Sequence, residues 1–344
     1  MSRSGTASGA RGATATLSAR RSRIPEAWAL VWRRTLVAVP ATAAVTAAVF
    51  WLASIAPFNP LASYLGSRYE QATPAERAAL AHELGLNDSW HAVWARWFAD
   101  ALGGDWGTSR LYGQPVSEVI AERLPFTALL AGLGLFTAVV LSMVLALAAG
   151  RRPGGIVDRL ALLLVHIAQA VPPFVLGLVA IAVFALGLGL PAGGAAAGGS
   201  DPTVRSLAVH LILPVGVLAL TQLPWLVLNL RASVIEALDS DAVLAARGRG
   251  LGESTILRAH VLPVALLPFM TVIGSRLGEL VTGSLLVEAV FSWPGLASAT
   301  IASAVAGDFP LLAAVTALTC AAVFAGSILA DASYVLADPR VRDV

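Results

Sequence analysis

Six stretches of some 20 mainly apolar residues, separated by segments where charges, glycines and prolines collect, set the layout of the chain. They run Leu36–Ala56, Phe126–Ala149, Leu160–Leu188, Leu207–Leu230, Val264–Val287 and Leu311–Ala330. Each is long enough, at about 20 residues, to cross a bilayer core as a helix. The third has length to spare and contains Pro172 and Pro173, where it is expected to tilt or break. None alternates apolar and polar residues with period two, the pattern a membrane barrel requires. The expectation is an all-α polytopic membrane protein with six transmembrane helices.

Composition agrees. Hydrophobic residues make up 57% of the 344 and charged residues only 13%, where a soluble domain carries about 25%. The mean hydropathy is +0.76. Lipid must cover what charge does not. Residues 1–30 are rich in Ser, Ala, Gly and Thr and predict a disordered tail on the cytoplasmic side. The apolar stretch after it is too long for a signal-peptide core, so an uncleaved first span is expected. A six-helix body would then occupy residues 31–342. Cys320 is the single cysteine, which excludes an internal disulfide.

The net charge of +2 says less than its distribution. All 23 basic residues are arginines. With the N-terminus inside, 16 of them fall in inner segments and six in outer ones, and Arg276 lies within span five. By the positive-inside rule both termini are cytoplasmic.

The outer loop between spans one and two, residues 57–125, is long. It contains "SWHAVWARWFADALGGDWGTS", which places Trp90, Trp94, Trp97, Phe98 and Ala101 on one helical face. Such a helix lies on the outer membrane surface or against an external partner. The alternative is an aromatic anchor at the interface with no partner.

The inner segment 231–263 is more unusual, because "LAARGRGLGESTILRAHVLP" is compact, basic and set between two apolar spans. Ser240 or Asp239 can cap a short helix starting at Asp241, whose acid suits the helix dipole. Gly250 and Gly252 permit a sharp turn, and a second helix from about Ser254 feeds span five at Pro263. The result is a helix–turn–helix knob. Its small residues, Ala242, Ala245, Ala246 and Gly248, would let another protein approach closely, and its arginines suit carboxylates. The plainer alternative is an ordinary positive-inside loop.

The spacing of Ala245-Ala246, Gly250 and Leu262-Pro263 resembles the E-A-A…G…I-x-L-P loop of ABC-importer permeases. It departs at Leu244, where the acid would stand, and at His260. Both departures, with Asp241, Ala246, Arg247, Gly250-Leu251, His260 and Leu262, resemble the dipeptide/oligopeptide/nickel branch of that family. Other stretches agree with that branch: "RWFADALGGDWGTSRLYGQPVSEVIAERLPFT", "GRRPGGIVDR", "GSLLVEAVFSWPGLASA", "GDFPLL" and "DASYVLADPRVR". The match extends from about Trp32 to Arg342. The long first outer loop is similar to the DppB/OppB-like subunit rather than its C-type partner. "APFNP" at Ala56–Pro60, Val264 and the extended N-terminus depart from the pattern.

The resemblance implies a type I ABC-importer permease fold (MetI-like). Its partners would be a C-type permease in a heterodimer, two cytoplasmic ABC ATPases and an extracytoplasmic substrate-binding protein, with membrane lipid around it. Cargo would be a peptide, or else a nickel chelate or glutathione. ATP hydrolysis would lie with the partner ATPases, since this chain has no G-x-x-x-x-G-K-[ST] cradle. "HELGL" at His82 fails H-E-x-x-H, and no G-x-S-x-G elbow occurs. His82, His91, His166, His210 and His260 are scattered. No catalytic residue, cofactor, metal or nucleic acid is expected, which leaves an intramembrane enzyme little support. A passive channel would not require the knob.

Three sets of site residues follow. The coupling loop is Asp241, Ala245, Ala246, Gly250, Leu251, His260 and Pro263. An outer gate is expected after span five, with Ser292 capping a short helix, Pro294 in its first turn next to Gly295, and Asp308 with Pro310 starting span six. The alternative there is two ordinary helix starts. A translocation path is expected at Arg276 and Glu279, which share a face near the middle of span five and can pair, with Glu288 on the same face farther out. The alternative is a structural ion pair to a neighbouring helix.

Overall fold

The computed structural model describes residues 8–56, 68–83, 88–196 and 201–337. The start of the tail before Ser8, "PFNP" at 57–60 and "DPRVR" at 338–342 lie outside the described residues. Thirteen α-helices occur among the described ones. Among its described residues the outer loop carries no strand, only an isolated bridge between Thr108 and Pro115.

Among the described residues five helices are long and apolar enough to cross a membrane, or six when a bent pair is counted as one span. Helix α1 (Ser8–Ile55) contains the first. It reaches back through most of the segment for which composition predicts disorder. The reason is propagation: extending an existing helix into an Ala-rich segment adds a hydrogen bond per residue and needs no new nucleus. The outer loop holds α2 (Pro74–Glu83) and α3 (Trp90–Leu102). Span two, α4 (Val116–Gly150), begins ten residues before its apolar stretch and runs through Pro125. The outer loop therefore ends at Pro115 rather than at 125.

Span three breaks where its prolines stand. Helix α5 (Ile156–Ala170) and α6 (Pro173–Ala180, continued by a π turn at Ile181–Leu186) meet at 108°. A proline forces its predecessor out of the helical region, and Val171 is extended at φ −96°, ψ 125°. Span four starts later than its apolar run suggests. Thr203 and Ser206 form a capping box on a short α7 (Val204–His210), and after a turn at Leu211, α8 (Ile212–Leu238) is the span itself. Then come α9 (Asp241–Gly248), α10 (Glu253–Ile256), a π turn at Leu257–Val261, span five α11 (Leu262–Val290), α12 (Leu296–Ala306) and span six α13 (Phe309–Ala337).

Helix α4 lies along α8, α8 along α11, α11 along α13, and α13 along α1. The α4–α8 contact follows from a ridge of small residues at four-residue spacing: Gly134, Ala138, Ser142, Ala146 and Gly150 are all buried. A Cβ on Gly134 would stand 2.6 Å from Leu218, and one on Gly150 2.7 Å from Val234. Small side chains let two helices approach where lipid supplies no hydrophobic drive.

Helix α3 turns its aromatic face onto α1. Trp97 packs against Phe50 in a tilted pair with ring centroids 5.6 Å apart, and the Trp94 indole donates to Thr46 Oγ1 at 3.2 Å. That face is therefore not the membrane-surface or partner-docking face expected from the sequence. Its indole N–H groups need acceptors, and Thr46 and the Trp106 carbonyl supply them within the chain.

Candidate functional site

The knob is built from local contacts. Helix α9 begins at Asp241 as expected, with Ser240 in the N-cap position. The Ser240 hydroxyl does not cap it, however. It donates to the Ala237 carbonyl at 2.7 Å, closing the last turn of α8. Arg249 ends α9, and Gly250 makes the turn at φ +78°. Gly252, by contrast, is extended and caps α10. The Gly250 N–H donates to Arg247 O and the Leu251 N–H to Ala246 O. Across this turn the Arg247 guanidinium grips the Glu253 carboxylate through two bonds of 2.9 and 3.3 Å.

The foot of the knob is apolar. Val243, Ala246, Ile256, Leu257 and Val261 are buried with Leu230 and Val234 of α8 and Phe269 of α11. Asp241, Leu244, Ala245, Leu251 and Pro263 are exposed, and His260 is half-buried. The expected coupling residues thus divide. Ala246 anchors the knob, Gly250 shapes it, and the rest form its outer surface. From Glu253 to Val290 the chain is one helical rod of 38 residues.

At the other end of that rod the expected capping is displaced. Ser292 does not cap a helix; it ends one. It sits at φ 49° just past α11, while Trp293 N–H returns to Glu288 O at 2.9 Å. This six-to-one bond is how a left-handed residue closes a helix. Pro294 precedes Gly295, and Gly295 is the N-cap of α12, which ends at Ala306. The carboxylate of Glu288 takes over the capping, with Oε2 accepting from the Ala297 N–H at 2.8 Å. Thr127 Oγ1 of α4 accepts from Leu296 N–H at 2.9 Å, and the Trp293 indole donates to Phe126 O at 2.9 Å. Gly295 has to be glycine here, since a Cβ would lie 2.3 Å from Glu288 Oε2 and 2.5 Å from Thr127 Oγ1. Asp308 is buried one residue before α13. Its Oδ2 accepts from Ser109 Oγ at 2.6 Å and Leu111 N–H at 3.1 Å, tying the outer loop to span six.

The structure brings Arg276 and Glu279 together as an ion pair in the middle of α11. Arg276 also reaches Gln222 of α8 at 3.5 Å, and its guanidinium lies 5.1 Å from the centre of the Trp225 ring. Glu288 does not join them and does not share their face. Nine residues separate it from Glu279, about two and a half turns, which puts it on the opposite side of the helix. It is fully buried in the α12 junction.

Several working residues escaped the sequence reading. Asp158, at the start of α5, takes a bidentate grip from Arg231 of α8 at 2.5 and 2.8 Å. It also accepts from Gly154 N–H at 2.7 Å. Arg123 donates to Ser298 of α12 at 2.8 Å and covers the Tyr112 ring at 4.8 Å. Thr127 and Ser109 belong with these. Their one sequence signal was membership of stretches that carry the family resemblance, "GRRPGGIVDR" for Asp158 and "RWFADALGGDWGTSRLYGQPVSEVIAERLPFT" for Ser109, Arg123 and Thr127.

Comparison with known proteins meets this geometry. Residues 128–343 match the family model described as binding-protein-dependent transport system inner membrane component. The chain is 32% identical over 316 residues to the oligopeptide transport system permease protein AppB of Bacillus subtilis, covering 91% of this chain and 99% of that one. It is 30% identical over 313 residues to the "Probable peptide ABC transporter permease protein y4tP" of Sinorhizobium fredii, covering 91% and 98%.

Proposed function

Because the chain belongs to the family of inner membrane components of binding-protein-dependent transport systems, we propose that it is the B-type permease half of an ATP-driven peptide importer. Its relatives' names speak of oligopeptide and peptide transport, and peptide is the cargo assigned here. In this reading a C-type permease completes the pathway, two ATPases bind on the cytoplasmic side and a binding protein delivers cargo from outside. Both termini face the cytoplasm. The chain performs no chemistry of its own, and ATP is hydrolysed by the partner subunits.

The observation that carries the mechanism is the rod from Glu253 to Val290. The knob's second helix is not hinged to span five but continuous with it. The apolar foot, Val243 and Ala246 against Ile256 and Val261, fastens α9 to the same rod. When ATP closes the two ATPases, Asp241, Ala245 and Leu251 are carried with the surface they touch, while His260 and Pro263 lie two to three turns into the rod. The motion reaches Arg276 and Glu279 at mid-membrane, and then the α12 junction around Ser292, Pro294, Gly295 and Asp308, which serves as the outer gate. Two packed arrangements biased by nucleotide are what such a switch requires.

The turn at Gly250 tests this. A Cβ there meets nothing within 4 Å, so Gly250→Val acts through the backbone alone. A β-branched residue at positive φ costs about 1–3 kcal/mol. The variant should insert and assemble, while peptide-stimulated ATP hydrolysis in the reconstituted complex drops to its basal rate. Normal stimulation would refute the coupling role.

A further inference from the structure

Resting on the reading of α11 as part of the peptide path, we propose that Glu279, Ser275 and Thr282 form a subsite that accepts positively charged groups of the cargo, ammonium or guanidinium, and not its carboxylates. The two charges of the central pair are not equally available. The Arg276 side chain is 10% exposed and that of Glu279 59%. Arg276 lies beneath Trp225 and against Gln222, drawn into the α8–α11 contact. The acid is what the helix presents.

Depth makes that presentation meaningful. Arg276 is at the midpoint of α11 and Trp225 at the midpoint of α8. An exposed carboxylate at the centre of a bilayer costs several kcal/mol against lipid, so its surface faces water or protein. The surroundings then select the sign. Residues 275, 279 and 282 lie one helical turn apart on a single exposed stripe. The Ser275 hydroxyl donates its hydrogen to Val272 O at 2.8 Å, and the Thr282 hydroxyl donates to Glu279 O at 3.0 Å. Each has one hydrogen, so what remains outward is lone pairs. Two hydroxyl acceptors flanking a carboxylate complement a group with several N–H donors and offer nothing to an anion. The partial neutralisation of Glu279 by Arg276 keeps the grip weak enough for cargo to leave, as a pathway demands.

The test uses the complete importer in proteoliposomes, with its binding protein saturated in turn with Ala-Lys-Ala, Ala-Ala-Ala or Ala-Glu-Ala. ATP-driven uptake of each is measured. The Lys-to-Glu uptake ratio should fall about tenfold in Glu279→Gln, the scale of one charge-assisted hydrogen bond. It should fall about threefold in Thr282→Val, which removes an acceptor without touching the charge pair. An unchanged ratio in both variants overturns the subsite. So does an equal fall for all three peptides, which would mark Glu279 as a strut to a neighbouring subunit. If the unmodified complex takes up none of the three, the peptide reading itself fails, and the subsite with it. That outcome is distinct from any change in ratio.

Discussion

At the knob, the turn and its ion pair join residues no more than six positions apart, Arg247 to Glu253 being the widest. At the α12 end of the same rod, proposed above as the gate, the tying contacts come from far along the chain: Trp293 to Phe126, Leu296 to Thr127, Ser298 to Arg123 and Asp308 to Ser109, spans of 167 to 199 residues. The exposures differ in the same sense. The knob's pair is open to solvent, whereas Glu288, Ser109 and Asp308 are buried. A device made of local contacts on an apolar foot can move as a unit and dock as a unit. One pinned through polar groups to two other segments, the outer loop and α4, can change only if those segments change with it. The two ends of the rod are therefore expected to respond to mutation in different ways.

The largest effect is expected at the gate. In Gly295→Ala the new methyl must displace a buried carboxylate and a buried hydroxyl, both closer than 2.6 Å to where it would stand. Overpacking of this kind costs about 3 kcal/mol, and the groups displaced are the ones capping α12. Thermal unfolding of the assembled complex in lipid nanodiscs should begin well below that of the parent, with reduced yield. An unaltered unfolding profile would mean that α12 can slide off Glu288, and the contrast between the two ends would collapse.

A second variant probes where the knob end departs from its own rule. Asp158 and Arg231, 73 residues apart, tie the start of α5 to the stem that leads into α9. Asp158 is almost fully buried, whereas Arg231 is about one-fifth exposed. Removing one partner of a fully buried pair costs about 3–5 kcal/mol, and access to water at Arg231 brings the expectation for Asp158→Ala to about 2 kcal/mol. The complex should assemble with a lowered unfolding temperature and with cargo-stimulated hydrolysis weakened but present. Full stimulation would show that α5 takes no part in holding the stem, leaving the local contacts of the knob to act alone.

The same division between local and distant contacts decides what was legible in the sequence. The outline of the knob was readable, because Asp241, Gly250 and the helix entering at Pro263 obey rules that act within a turn or two, whereas the expected Ser240 cap and the turn at Gly252 did not form. The break at Pro172-Pro173 was readable for the same reason. Span boundaries were less so: α4 starts at Val116 because its first turns are held by the outer loop and α12, not by an apolar run. The gate was misread at Ser292, since serine signals an N-cap locally and only the return of Trp293 to Glu288 makes it a helix terminator. Glu288 was expected on the face of Glu279 because it matches the acid of the family pattern, though a nine-residue interval already set it opposite. Asp158 with Arg231, and Ser109 with Asp308, gave no sign of pairing, because nothing in a single chain's order announces contacts between segments so far apart.

The smallest effect should come from the knob's own ion pair, and its smallness is informative. Arg247 and Glu253 form a well-aligned bidentate bond, yet both are exposed, and exposed pairs contribute little after screening and side-chain ordering. Arg247→Gln should therefore leave the unfolding profile of the complex where it was. If the pair serves to fix the angle between α9 and α10 for docking, its loss should appear elsewhere, as a modest rise in the ATPase concentration needed for half-maximal assembly. That rise should vanish at high salt, where the parent's pair is screened as well. A clear loss of thermal stability instead would show that the turn depends on the pair and not on Gly250 and the apolar foot. The knob would then be pinned by a polar contact, as the gate is, and the distinction between the two ends would have to be withdrawn.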